Sequence, residues 1–145
     1  HAMIHRPFTT DSFQKKITKP WGEEIIYTPA GLARTGKIIK IKAGQKLSFQ
    51  YHEQKEETLC LLSGGCIIWI ENAAGEIEKI PMKQSEGFTV QQRQKHRIEA
   101  LEDSVVIEVS SPERGNTVRV ADDYGRPDET EELRAEKNRG WDGTK

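Results

Sequence analysis

A chain of 145 residues is long enough for one domain with a hydrophobic core and too short for two ordinary domains. Its formal net charge of −1 gives no electrostatic reason to expect binding to nucleic acid or to an acidic membrane surface. The longest apolar run, at 66–70, is far below membrane-spanning length, and no charged-then-apolar leader is seen, so we expect a cytoplasmic protein with no membrane partner. We interpret His1-Ala2-Met3 as the remnant of an affinity tag.

Short stretches of alternating apolar and polar residues run along the chain, and glycine, proline or asparagine interrupts them about every 8–12 residues. They predict strands at 23–28, 37–42, 47–52, 57–62, 66–70, 76–80, 88–90, 97–100, 105–109 and 117–120. Short strands at regular spacing are typical of an antiparallel barrel or sandwich. We therefore predict an all-β, single-domain fold.

The alternation also predicts which side chains point inward. In the second predicted strand Ile39 and Ile41 form the natural inward pair, which leaves Lys40 and Lys42 on the exterior. Glu108 lies in the middle of a later strand, between apolar neighbours. Facing inward it would be a candidate general base with a raised pKa, and facing outward an ordinary surface residue. The phase of the strand alone does not decide between the two.

The N-terminal residues 1–18 are set apart from the predicted barrel at 19–126 as a tag remnant and an arm. Barrels of this kind pair through an edge strand or an exchanged arm. Residues 4–13 are a candidate for such an arm, so the sequence is compatible with a homodimer.

The C-terminal residues 127–145 are almost wholly polar. A helix at 129–138 would have almost no apolar stripe to bury, so a frayed or disordered tail is predicted. The alternative is an arm that docks Leu133 and Trp141 onto the barrel or onto a partner.

Four side chains of metal-binding type fall in or beside the predicted strands. Gln50 and His52 are two residues apart in one strand, so they point to the same face. Glu57 begins the next strand and His96 opens a later one, from which both can face the first pair across a barrel. An amide oxygen, two imidazoles and a carboxylate suit one divalent ion of Zn, Mn, Fe, Co or Ni, with open positions for substrate or water. Each residue alone is more typical of a satisfied or exposed side chain, and it is the joint spacing that favours a metal site.

The pattern Gly44…Gln50-x-His52…Glu57…Gly64 is similar to the first metal motif of the cupin superfamily. Gln50 stands where the commonest version of that motif has a histidine. The resemblance implies a double-stranded β-helix, or jelly-roll barrel, with the metal held inside it.

The second cupin motif usually reads Pro-x-Gly-x-x-His. Here Gln91 and Arg93 stand where the proline and the glycine would be, and His96 is in place. A turn that lacks its glycine must avoid a positive φ or accept strain.

Further segments resemble the C-terminal cupin domain of type II phosphomannose isomerases, namely 19–23, 47–52, 96–98, 107–109 and 123–126. The resemblance covers 19–126 and includes the glutamine at the first ligand position. It implies a metal-dependent isomerase or epimerase that acts on a sugar or sugar phosphate, as mannose-6-phosphate isomerases do.

This reaction requires residues beyond the metal ligands. Glu108 would carry the proton between adjacent carbons, and Arg97 or Arg126 would hold the anionic end of the substrate. For the two arginines the alternatives are a solvated turn and a C-terminal turn. Two other functions stay open on the same barrel: a dioxygenase, decarboxylase or lyase for a small carboxylated compound, and a module that binds a small ligand without turnover.

Overall fold

The computed structural model describes residues 3–143, so His1 and Ala2 of the predicted tag remnant lie outside it. Most of the regular structure in this range is β-strand. The strands are β1 Lys15–Lys19, β2 Gly22–Ile26, β3 Thr35–Ile41, β4 Phe49–His52, β5 Glu57–Ser63, β6 Cys66–Glu71, β7 Ile77–Pro81, β8 Gly87–Val90, β9 His96–Ala100, β10 Ser104–Ser110 and β11 Thr117–Ala121. Every predicted strand is present, and its ends lie within two residues of the predicted ends.

The strands form two sheets in which each strand runs antiparallel to its neighbours. The first sheet has the order β1-β2-β3-β10-β5-β8 and the second the order β11-β4-β9-β6-β7. Strands far apart in the chain are neighbours in both sheets, as β3 and β10 or β4 and β9 are. Such crossings between the first and last parts of a chain are those of a jelly-roll barrel. The predicted all-β antiparallel barrel is confirmed.

Strand β1 was not predicted from the sequence. Its five residues include only one apolar side chain, Ile17, so the alternation is too short to be recognised. In the structure Ile17 is 1% exposed, and the strand pairs with β2 along its whole length. The first sheet therefore begins at Lys15, before the boundary at residue 19 expected from the sequence.

The inward faces of the two sheets enclose an apolar core at one end of the barrel. Ile39 and Ile41 lie in it, as predicted, while Lys40 and Lys42 are exposed. The other core residues are Trp21, Leu59, Leu61, Cys66, Ile68, Met82, Val90, Ile98, Ala100 and Val106. Full burial stabilises by about 1.5–3 kcal/mol for each large apolar side chain, so this end supplies most of the hydrophobic stabilisation.

The same inward faces become charged toward the other end of the barrel, here called the ionic end and defined by Lys37, Glu57, His96 and Glu108. Each of these side chains continues an inward row that is apolar further along its strand. All four are buried, although their charges would favour water. The pairing of β3 with β10 sets Lys37 directly opposite Glu108. The interior is therefore apolar in one half and polar in the other, and the candidate site lies in the polar half.

The C-terminal segment, defined as residues 127–143, contains a short helix α1, Glu131–Arg134, and a 3-10 helix, Lys137–Gly140. Thr130 caps the first of these by accepting a hydrogen bond from the backbone N–H of Leu133. No helix in residues 3–143 is long and apolar enough to cross a membrane.

The C-terminal segment is folded against the ionic end, which differs from the frayed tail expected from its composition. Arg139 is bound there by two carboxylates, at 2.7 Å from Glu113 and 3.3 Å from Glu129. Leu133 and Trp141 are only partly buried. Charge, more than apolar area, therefore holds the segment, and a composition analysis based on apolar stripes does not detect this kind of docking.

The N-terminal arm, by contrast, contains no strand between residues 3 and 14. Ile4 is 72% exposed and Phe8 is 81% exposed. The homodimer expected through this arm stays a prediction.

Candidate metal centre

Three residues of metal-binding type converge at the ionic end. His52 is the last residue of β4, Glu57 the first of β5 and His96 the first of β9. Each is at most 5% exposed. Their potential ligand atoms all lie within 4.8 Å of one another. The structure thus brings together the two histidines and the carboxylate that the sequence had assigned to one site, and Gln50, the fourth predicted residue, lies beside them.

The carboxylate of Glu57 lies between the two imidazoles. Its Oε1 is 2.8 Å from Nε2 of His96 and 3.3 Å from Nε2 of His52. The centroids of the two imidazole rings are 5.2 Å apart. Atoms that share one ion at about 2.0–2.2 Å are roughly 3–4 Å from each other, so this spacing is close to that of a ligand set.

The outer nitrogen of each imidazole is already bound by the protein. Nδ1 of His96 is 2.9 Å from the backbone carbonyl oxygen of Gln94, to which it can only donate a hydrogen bond. Nδ1 of His52 is 2.9 Å from the hydroxyl of Thr117. A neutral His96 therefore directs the lone pair of Nε2 at the oxygen of Glu57. Two acceptors at this distance require a cation between them, either a proton or a metal ion.

The charge states of these groups also suit a metal ion. Burial and the neighbouring ammonium of Lys55 lower the pKa of His52 to about 4, so its imidazole is neutral at pH 7. Burial opposes ionisation of Glu57, but Lys55 and His52 hold the pKa of Glu57 well below its usual range. Neutral imidazole and ionised carboxylate are the forms that bind metals. Two nitrogens and one oxygen fit the Zn, Mn, Fe, Co or Ni ion predicted from the sequence.

Gln50 lies beside these three residues and directly opposite His96 in the pairing of β4 with β9. Its Nε2 is 3.5 Å from Nε2 of His52, and its Oε1 accepts a hydrogen bond from the hydroxyl of Ser48. Ligation would use the amide oxygen, which requires the amide to turn over. Its position is that of a fourth ligand, and its role as one stays a prediction.

A buried lysine joins Glu57 to Glu108. Nζ of Lys55 is 3.2 Å from Glu57 and 3.3 Å from Glu108. Glu108 is 4% exposed, which settles its direction: it faces the interior. Burial and the carboxylate of Glu57 raise the pKa of Glu108 to about 8, against the opposing effect of Lys55. Glu108 therefore retains a proton more readily than a surface glutamate.

A second group of charges adjoins the first through Lys37. Its Nζ is 2.9 Å from Glu113, 3.1 Å from Glu24 and 3.9 Å from Glu108. Arg139 of the C-terminal segment binds Glu113 from the other side. Because each buried charge has an opposite neighbour, the network is tolerable in the interior, and removal of any one member leaves others uncompensated.

Arg97 was predicted to hold the anionic end of a substrate. It follows His96 in β9, so strand alternation directs its side chain to the opposite face. Its Nε donates to the carbonyl of Leu47 at 3.0 Å and its Nη2 to Asp123 at 3.1 Å, and its guanidinium lies 5.2 Å from the ring centre of Trp69. These donors are committed to the protein itself. Arg97 also lines the cavity beside the candidate centre, and its substrate-binding role stays a prediction.

Arg126, the other predicted anion-binding residue, lines the same cavity. Its guanidinium is held by both carboxylate oxygens of Asp122, at 3.0 and 2.9 Å. This bidentate pair neutralises the charge and fixes the side chain. Its substrate-binding role also stays a prediction.

The turn before His96 lacks the glycine of the cupin motif and still adopts a positive φ, so it accepts backbone strain. Arg93, at the position where the cupin motif has glycine, has a φ of 66°. Its N–H donates to the carbonyl of His52 at 2.8 Å. The turn thereby presents the carbonyl of Gln94 to Nδ1 of His96. A left-handed residue other than glycine costs about 1–2 kcal/mol, so the orientation of His96 is obtained at the expense of stability.

Residues of the site that the sequence analysis missed include Lys37, Lys55, Glu113 and Thr117. Lys37 had a signal, since it shares the strand phase of the two inward isoleucines of β3. Lys55 and Glu113 lie outside the strands, where no periodicity exists. Thr117 meets His52 only because β11 pairs with β4, which the sequence does not disclose.

A cavity of about 60 Å³ connects the candidate metal centre to the C-terminal segment. One water needs about 10–15 Å³ on this measure, so there is room for about four to six waters or one small ion. Residues that line the cavity include Lys19, Gln50, His52, Glu57, His96, Glu108, Arg119, Arg126 and Arg139.

No protein-family model and no curated protein matches the chain. Solved structures do match it. KdgF from Halomonas sp. is 21% identical with a TM-score of 0.59, over 70% of this chain and 89% of that one. Oxalate decarboxylase from Bacillus subtilis is 16% identical with a TM-score of 0.63, over 74% of this chain and 30% of that one. CapF with the inhibitor 3-isopropenyl-tropolone is 18% identical with a TM-score of 0.60, over 69% of this chain and 30% of that one.

At these identities the likeness is one of fold. The chain spans less than a third of CapF and of the oxalate decarboxylase, whereas it spans most of KdgF. Over the matched parts, all three share the barrel of two antiparallel sheets described above. The chain therefore has the cupin fold.

Proposed function

We propose that His52, Glu57 and His96 hold one divalent metal ion, with the amide oxygen of Gln50 as a further ligand. The observation that carries the proposal is the approach of the His96 Nε2 lone pair to a Glu57 oxygen at 2.8 Å, while the other ring nitrogen is bound to a carbonyl. A cation between the two atoms relieves this contact. The hydroxyl of Thr117 and the carbonyl of Gln94 orient the two rings as outer partners of metal-binding histidines do.

Metal content measured by plasma mass spectrometry on the purified protein tests the proposal. We expect about one ion per chain in the wild type and a large loss in His52→Ala. His5→Ala is the matched control, because His5 is exposed in the N-terminal arm and should leave the content unchanged. A wild type that stays metal-free after reloading with Zn²⁺, Mn²⁺ and Fe²⁺ would contradict the proposal.

For the reaction, we propose an isomerase or epimerase that acts on a sugar or sugar phosphate. The resemblance of 19–126 to type II phosphomannose isomerases supports this choice. A divalent ion at the centre would polarise a carbonyl oxygen of the substrate. Glu108 is the candidate for proton transfer, because it is buried in the wall of the same cavity and Lys55 contacts both it and Glu57. Lys55 positions both carboxylates and is not itself proposed to transfer a proton.

Turnover of hexose phosphates by the metal-loaded protein tests this reaction. We expect Glu108→Gln to lower turnover by about 10²–10⁴-fold, the usual effect of removing a general acid or base, while metal content is retained. Glu78→Gln is the matched control, since Glu78 is exposed on β7. Absence of turnover with every divalent metal and every hexose phosphate would contradict the reaction and leave the metal proposal intact.

A second candidate reaction is decarboxylation of a small carboxylated compound. It is favoured by the likeness to oxalate decarboxylase from Bacillus subtilis, a protein described as having Mn(II) centres. Release of carbon dioxide from small carboxylates by the Mn²⁺-loaded protein, without isomerisation of hexose phosphates, would support this candidate over the first.

A further inference from the structure

Arg119 points into the barrel beside the candidate metal centre. It lies directly opposite Gln50 in the pairing of β11 with β4, and residues so placed in antiparallel strands project to the same face. Thr117, two residues earlier in β11, is on this face as well, since its hydroxyl meets the imidazole of His52. Arg119 is therefore one strand away from the proposed metal ligands.

The guanidinium of Arg119 has no carboxylate partner among residues 3–143. One of its terminal nitrogens donates to the carbonyl of Pro127, and its Nε is buried with no hydrogen-bond partner. Nε of Arg134 and of Arg139 is also unbonded, but ion pairs to carboxylates satisfy the charge of both side chains. Arg119 is thus a charged side chain in the wall of the cavity that no carboxylate of the described residues pairs with directly, and Glu129, Asp122 and Asp128 act on it only through space.

Lys19 is a second cation of this kind. It ends β1 on the same inward side as the buried Ile17, and within the described range its ammonium group makes no ion pair or hydrogen bond. Burial lowers the pKa of Lys19 to about 8, against the opposing effects of the carboxylates of Glu24 and Glu129. Glu129 acts on both Lys19 and Arg119 through space, but its oxygens are held by Arg139.

The two cations come from opposite sheets and line the same cavity. Lys19 lies at the edge of the first sheet and Arg119 at the edge of the second. Both line the cavity of the metal centre and the smaller pocket next to it beneath the C-terminal segment. Unpaired cations in a poorly hydrated wall are costly, and an anion bound between them removes that cost.

We propose that Lys19 and Arg119 form an oxyanion subsite that binds the phosphate group of a small phosphorylated substrate. Two positive charges match the charge of a phosphate dianion, whereas a carboxylate would leave one of them uncompensated. The planar fork of arginine, with Nε and a terminal nitrogen free, suits the oxygens of phosphate. As a part of the active site the subsite rests on the proposed function, but phosphate itself can bind there without the metal.

Titration calorimetry of the metal-free full chain with inorganic phosphate at pH 7 and low ionic strength tests the subsite. We expect saturable 1:1 binding that weakens about tenfold or more in Arg119→Gln and in Lys19→Met, because each loses one charge-assisted contact. Arg119→Lys, which keeps the charge and loses the fork, should fall between wild type and Arg119→Gln. Lys42→Met and Arg34→Gln, which change exposed cations, should bind phosphate as the wild type does.

Melting temperatures and acetate binding complete the test. Neither subsite variant leaves an ion pair broken, so their melting temperatures without phosphate should equal or exceed that of the wild type. Acetate should bind at least about tenfold more weakly than phosphate. Equal binding of acetate, unchanged binding in both variants, or no binding of phosphate up to about 10 mM would overturn the proposal. Metal content, measured on the same preparations, separates this failure from a failure of the metal centre.

Discussion

Replacing Lys37 by methionine keeps most of the side-chain volume and removes one buried ammonium. Glu24 and Glu113 lie 3.1 and 2.9 Å from that ammonium, so Glu24 would lose its closest buried cation and Glu113 would keep only Arg139 at 2.7 Å as a close one. Removal of one partner from a buried ion pair costs about 3–5 kcal/mol, out of a total stability that for a domain is about 5–15 kcal/mol. We therefore expect Lys37→Met to lower the free energy of unfolding by about 3–5 kcal/mol at pH 7.

Urea denaturation followed by tryptophan fluorescence and by circular dichroism measures this change. Lys40→Met is the matched control on the same strand, because Lys40 is 53% exposed and its pair with Glu23 is on the surface at 3.7 Å. Exposed pairs contribute about 0–1 kcal/mol. The loss in Lys37→Met should also shrink as the pH falls toward 4, since the uncompensated carboxylates can then take up protons. Equal stabilities for the two variants at pH 7 would refute the interpretation of the ionic end as a compensated charge network.

Three more outcomes follow from the geometry. Arg93→Gly should raise the free energy of unfolding by about 0.5–1 kcal/mol in the same urea assay, because relief of the left-handed strain exceeds the entropy cost of glycine. A decrease would refute the inference that Arg93 is strained. Thr117→Val should weaken metal binding about 10–100-fold in a competition titration with a chelator, because His52 loses the partner that orients its ring, and an unchanged affinity would exclude that role. The contribution of Glu24 to stability, measured as the difference between the wild type and Glu24→Gln, should be constant above about pH 4.5. It should fall on the order of 3 kcal/mol as the pH drops toward 2, because the pKa of Glu24 is lowered to about 2 despite its burial, chiefly by Lys37; a difference independent of pH in this window would contradict the pairing.

The strands were predictable because half-buried strands alternate, and their turns carry glycine or asparagine. Strand β1 escaped because Ile17 is its one apolar residue and the pattern needs at least two. Which strands pair with each other could not be predicted from this alternation. The neighbours β3 and β10 are far apart in the chain, and only the resemblance to cupins, not the periodicity, implied such an order.

The metal-binding group was predictable from spacing, since His52, Glu57 and His96 lie at strand ends that a barrel brings together. Its surroundings were not. Lys55 lies in a loop, and a buried lysine in a loop has no sequence signal that separates it from an exposed one. The direction of Glu108 could not be decided from the sequence for a similar reason. Its neighbours on both faces of the strand are apolar, so no polar face shows which side chains point outward.

The docking of the C-terminal segment shows the same limit. An apolar stripe is visible in a sequence, whereas a carboxylate and a guanidinium that will meet only after folding are not. Arg139 and Glu113 are 26 residues apart and contact each other across the barrel end. Their pairing requires the complete fold, so the composition of the segment alone favoured disorder.

The division of the barrel interior into an apolar half and an ionic half has a consequence for local motion. When the ionic end opens, its charges recover hydration, whereas opening of the apolar end only loses hydrophobic burial. A single strand such as β3 therefore has unequal opening free energies along its length. Backbone amide protons near Lys37 should exchange with solvent faster than those near Ile41. Ligands can thus enter where the structure yields first, while the core that keeps the barrel folded stays closed.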